Sequence, residues 1–124
     1  MSARYVKPLS TDGVLAGVAG GTPQEILLSG SGSTVTWPFL SAANGSVSCG
    51  IWESAPFSKF KTHPDEMEFC YVIEGTVKLT DKAGNCSTFQ AGDAFIVEPG
   101  FDGIWESVTA VRKYFVIAKC EPAA

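Results

Sequence analysis

The chain of 124 residues has one histidine, few charges and no long apolar run, and each shortage removes a class of function. With His63 alone, a two-histidine metal triad cannot form, and a Ser-His-Asp triad would have to be built on an imidazole held beside Pro64. Cys49, Cys70, Cys86 and Cys120 form no C-x-x-C pair and read as reduced thiols. No run approaches membrane-spanning length. Arg4 and Lys7 are cut off by Pro8 and Asp12 from the short stretch 14–19, so no leader core forms and a cytoplasmic protein is expected. Nine Lys and Arg against thirteen Asp and Glu give a net charge of −4, the wrong sign for phosphate backbones or anionic bilayers, so neither nucleic acid nor a membrane is an expected partner. There is no G-x-S-x-G elbow, and the glycines from Gly17 to Gly21 lack the strand, helix and closing Lys-Ser or Lys-Thr of a phosphate loop.

What the chain does have is 45% hydrophobic residues, thirteen Gly, seven Pro, and three Trp, three Tyr and eight Phe. That is enough apolar material for one domain burying roughly two-thirds of its unfolded surface. The aromatics and turn formers together imply short packed strands. From Val47 onward, β-prone runs fall near 47–54, 57–62, 68–74, 76–80, 86–90, 94–98, 103–108 and 111–119. They are separated by Ala55-Pro56, Pro64-Asp65, Gly75, Ala83-Gly84-Asn85, Gly92-Asp93 and Pro99-Gly100. This spacing predicts an all-β sandwich or closed barrel over 47–120. Residues 1–46 read as a loose arm of one or two strands around the apolar segment Glu25 to Ser29, packing on the barrel or on a partner subunit, and 121–124 as a tail. The arm has little core of its own and its strands can extend a neighbour's sheet, so a homodimer is expected.

The pentapeptide Gly-Ile-Trp-Glu-Ser occurs twice, at Gly50 to Ser54 and at Gly103 to Ser107. Strand alternation puts Gly, Trp and Ser on one face in each copy, so Trp52 and Trp105 are candidates to face a common interior, as core residues or as walls of a pocket.

The segment Glu68-Phe-Cys-Tyr-Val-Ile-Glu-Gly75, with Ala91-Gly-Asp-Ala-Phe-Ile-Val-Glu-Pro-Gly100 after it, resembles the two motifs of the cupin superfamily. Glu68, seven residues before Gly75, and His63, five before Glu68, match two of that superfamily's metal-ligand positions. Lys61 and Gly103 stand where its other two histidines would be, and Pro99 falls one residue late. Cys70 to Gly75, Phe101 to Trp105 and Val111 to Tyr114 further resemble small single-domain cupins of the ureidoglycine aminohydrolase and ethanolamine-utilisation type. The resemblance covers about Cys49 to Lys119. It implies a double-stranded β-helix, or jelly-roll, barrel, commonly dimeric, with a site inside one mouth and no fixed reaction.

A divalent ion needs three or four neutral or anionic donors converging on one point. Here only His63 and Glu68 offer themselves clearly, while Lys61 is a cation with no acceptor. No cofactor is therefore expected, a metal ion held through His63 and Glu68 being the alternative. Without a metal, parity and the resemblance turn Glu68, Cys70 and Val72 inward, where Glu68 must be paired. Lys61 as its partner would make a polar spot for the ammonium, carboxylate or amide of a small metabolite. Trp52, Phe60 and Trp105 are the expected apolar walls, and Lys113 is a further candidate, since Arg112 and Lys113 face opposite ways. Glu68, Lys61 and His63 are the candidate acid–base groups, and Cys70 is either a nucleophile or a small buried core thiol. The expected function is binding of a small polar or anionic metabolite, with catalysis open. The alternatives are a metal-dependent hydrolase or isomerase and a structural dimer module filled by Trp and Phe. A Lys61–Glu68 pair that only satisfies buried charge fits the last.

Overall fold

A computed structural model describes residues 5–12 and 16–122; Arg4, Gly13 and Val14 of the arm and the last two residues of the tail lie outside them. Among the described residues the chain forms eleven strands: β1 (Val18–Gly20), β2 (Leu27–Gly30), β3 (Thr34–Ala42), β4 (Val47–Ser54), β5 (Phe57–His63), β6 (Glu66–Glu74), β7 (Thr76–Asp81), β8 (Cys86–Gln90), β9 (Ala94–Val97), β10 (Phe101–Ser107) and β11 (Val111–Lys119). They pair antiparallel into a six-stranded sheet, β1-β3-β4-β11-β6-β9, and a five-stranded sheet, β2-β5-β10-β7-β8, which enclose one core as a jelly roll. No helix among the described residues is long and apolar enough to cross a membrane.

The punctuation works as turn chemistry. Gly75, between β6 and β7, has φ of 92°, and a Cβ there would strike the carbonyl oxygen of Ala110, so only glycine fits. The alternating runs bury every second side chain: Cys70 and Val72 of β6, Val77 and Leu79 of β7, Phe95 and Val97 of β9, and Trp105 of β10.

The region before residue 46 carries three strands rather than the one or two expected. All three join this chain's own sheets, β1 beside β3, β3 beside β4 and β2 beside β5. The overlooked strand is β3. Pro38 lies within it, and a proline, having no N–H to give a ladder, argues against strand in a sequence. The register of β3 against β4 slips between Pro38 and Leu40, which accommodates it.

The two pentapeptide copies lie one in each sheet, on β4 and β10. Across the interior Trp52 and Trp105 meet edge to face with ring centroids 5.7 Å apart, and the Ser54 hydroxyl donates to Ser107 Oγ at 2.8 Å. Trp105 Nε1 donates to the same oxygen at 3.0 Å, so the indole N–H is satisfied in the core.

Candidate functional site

The inward residues of four strands meet at one mouth of the barrel. On β5, alternation turns Lys59, Lys61 and His63 inward; β6 contributes Glu68 and Cys70, β10 contributes Trp105, and β11 contributes Lys113. Register sets these neighbours: Lys59 lies opposite Trp105 on β10, Gly103 opposite Lys61, and Trp52 opposite Lys113.

Glu68 is the centre of the cluster and only 3% exposed. Lys61 Nζ donates to its Oε1 at 2.9 Å and Lys113 Nζ to its Oε2 at 2.7 Å. Burial alone would raise the Glu68 pKa, but Lys113 and then Lys61 outweigh it and hold the carboxyl far below the usual range. Burial likewise opposes the charge on Lys113, yet Glu68 overcomes it and the ammonium is held above its ordinary value. The same ammonium lies 4.2 Å from the Trp105 ring centroid and 4.7 Å from that of Trp52, and Lys61 Nζ is 5.3 Å from Trp105. These ring faces replace part of the lost hydration. Lys113 Nζ also approaches Cys70 Sγ at 3.6 Å; burial nevertheless pushes the thiol up to about 12, so it is a protonated core group and no nucleophile.

A cavity of about 220 Å³ opens on this cluster. Lys59, Lys61, Glu68 and Lys113 supply its polar wall, and the two tryptophans, Phe115 and Ile117 its apolar one. Lys59 makes no ion pair and no side-chain hydrogen bond among the described residues. Burial, followed by the charges of Lys61 and Lys113, lowers its pKa to about 8. Sequence reasoning missed this lysine, although its place two residues from Lys61 on one strand is the parity signal that finds it. Thr36, also on the cavity wall, was out of reach because β3 was not recognised.

Phe60 is the correction to the expected site. It stands between the inward Lys59 and Lys61, so alternation turns it outward, 49% exposed, and it does not line the cavity beside Glu68. His63 is buried, but its Nε2 stands 3.8 Å from Glu68 Oε1, beyond hydrogen-bond distance, and its Nδ1 has no hydrogen-bond partner among the described residues. Burial and the Lys61 charge lower its pKa, so the ring is neutral at pH 7.

The donor set does not suit a divalent ion. Both Glu68 oxygens hold ammonium groups, and Lys61 brings positive charge to a ligand position. At Gly103 a Cβ would strike the Thr80 carbonyl oxygen, so no side chain fits. No three His, Cys, Asp or Glu side chains gather in metal-binding fashion among the described residues. A larger groove of about 580 Å³ runs beside the β7–β8 hairpin; of its acids, Asp81 is engaged by Asn85 and Asp102 by Lys82.

Residues 41–115 match the model of the EutQ-like cupin domain. No curated protein sequence matches the chain. Among solved structures, one from Pseudomonas syringae pv. tomato, a protein of unknown function in the DUF861 family, superposes with a TM-score of 0.74 at 24% identity, covering 85% of this chain and 45% of that one. This chain thus spans under half of that protein. The ethanolamine utilization protein EutQ of Salmonella typhimurium gives 0.60 at 19% identity, covering 71% of each chain. A predicted oxalate decarboxylase of Thermotoga maritima gives 0.70 at 18%, covering 91% of this chain and 99% of that one.

Proposed function

Since this chain belongs to the EutQ-like cupin family, whose fold encloses a site in the barrel mouth, we propose that it binds a small carboxylate-bearing metabolite there. The observation that carries this reading is the charge inside the mouth: Lys59, Lys61 and Lys113 line one cavity against Glu68 alone. A buried excess of cations is costly unless an anion joins it, and an entering carboxylate would accept from ammonium groups already oriented. The indole and aliphatic walls fit the short carbon skeleton of such an acid. A metal-dependent, ureidoglycine aminohydrolase-like reaction finds little support, because His63 and an already paired Glu68 are its donors. A thermal-shift screen of small carboxylates, amides and amines tests the proposal. Carboxylates should raise the melting temperature and amines should not; stabilisation by amines alone would contradict it.

Two further parts of the reading concern setting and assembly. The four unpaired thiols support a cytoplasmic location. A homodimer is supported by the outer face of the six-stranded sheet, where Phe69, Tyr71 and Ile96 are exposed and a second copy would cover them. Sedimentation velocity distinguishes dimer from monomer.

A further inference from the structure

Three lysines share the cavity, but they are not equivalent. Lys61 and Lys113 each hold one oxygen of Glu68, at 2.9 and 2.7 Å. Lys59 holds nothing among the described residues, and its side chain lies on the cavity wall beside Trp105. The charged groups facing it are Lys61 on its own strand, Glu68 from β6 and Lys113 from β11; the flanking strands β2 and β10 set Leu27 and Trp105 opposite it. Two committed ammonium groups next to a free amine divide the labour that a carbonyl acid requires. The cations receive the carboxylate and the amine meets the adjoining carbonyl carbon.

We propose that Lys59 is a carbonyl-reactive amine that condenses with a small 2-oxo acid held in the barrel mouth. This rests on the carboxylate-binding reading and extends it to a substrate class and a covalent step. The neutral Nζ adds its lone pair to the carbonyl carbon, and the carbonyl π pair passes to oxygen, which takes a proton. The carbinolamine then expels that oxygen as water and leaves a protonated imine. In sum, ammonium and carbonyl give iminium and water, so protons and charge balance and neither oxidant nor reductant is needed. With the lysine pKa lowered to about 8, about one molecule in ten carries the neutral amine at pH 7, far more than for a free lysine. The indole walls limit the water available to reverse the step.

The test is reductive trapping on the full chain. The protein is incubated with pyruvate and cyanoborohydride, and modified lysines are mapped by peptide mass spectrometry. In parallel, lactate, which has the carboxylate but no carbonyl, is titrated by calorimetry. We expect Lys59 to be labelled roughly tenfold or more above Lys78 and Lys82. Lys59→Arg should lose the adduct, and Lys78→Arg should keep it. Site mapping on the unaltered chain decides the matter if the Lys59 variant does not fold. Labelling spread evenly over the lysines, or none at Lys59, with lactate still bound, overturns the covalent step and leaves the binding reading intact. Failure to bind lactate and to form any adduct overturns both.

Discussion

Lys113 on β11 reaches along the neighbouring strand β6 to donate to Glu68 Oε2 at 2.7 Å, and both groups are almost wholly withdrawn from solvent. A pair in this setting gains little over an apolar pair, but breaking it is costly, because the survivor is a buried charge. Lys113→Met should therefore lower stability by about 3 kcal/mol, and Lys113→Met with Glu68→Met should cost less than the sum of the two single changes. Urea unfolding of the four proteins checks this; additive losses would show that the two groups do not interact.

The pH dependence follows from the direction of each shift. Glu68 is depressed in the folded state, so its contribution is present above the ordinary carboxylate range and is lost as pH falls through and below it. Glu68→Gln should flatten the stability curve below about pH 4. Lys59 is lowered to about 8, so the unfolded chain binds its proton more tightly and its contribution rises between pH 8 and the ordinary lysine value of 10.5, opposed above the ordinary thiol value of 9 by Cys70, whose thiol is held up to about 12. Lys113, held above that value, keeps its contribution throughout this window. Lys59→Met should remove the alkaline rise, as thermal melts across the range would show.

Phe60 and Trp105 should respond oppositely to truncation. Trp105 is 1% exposed and packs on Trp52 and Phe95, so Trp105→Ala should cost about 3–5 kcal/mol. Phe60 faces outward, and Phe60→Ala should cost about 1 kcal/mol or less and leave ligand binding unchanged. Chemical denaturation and calorimetry read both.

Gly103 is fixed by contact rather than by backbone angle. A methyl group there would press on the Thr80 carbonyl oxygen in the neighbouring strand, so Gly103→Ala should cost about 1–3 kcal/mol in urea unfolding. The same contact explains why the position carries no ligand side chain.

Cysteine reactivity should follow burial. Cys70 is fully buried with its pKa pushed up to about 12, so it should resist iodoacetamide in the native state, while Cys86 and Cys120 are exposed and should be alkylated. Peptide mapping before and after unfolding separates the two classes.

The barrel was legible because its strands are bounded by residues with strong turn chemistry: the runs at 47–54, 86–90 and 111–119 coincide with β4, β8 and β11. The arm was less so, since Pro38 masks a strand whose irregular register only the neighbouring β4 makes workable. Within the mouth, the positions of Glu68 and Lys61 followed from the motif, whereas Lys59 and Phe60 turned on strict application of parity along β5. Phe60 has the apolar character of a pocket wall but the parity of the outer face, whereas Lys59 shares the inward face of Lys61. Mutual neutralisation is also invisible in a one-dimensional chain: Lys113 lies 45 residues from Glu68 and meets it only because β11 is laid beside β6.

The most direct measurement is a crystal of the full chain soaked in lactate. The account predicts lactate density in the mouth, its carboxylate within hydrogen-bonding distance of Lys61 or Lys113 and its hydroxyl-bearing carbon beside Lys59, with the tryptophans against the carbon skeleton. A mouth closed by its own side chains, or lactate bound only elsewhere, would contradict it.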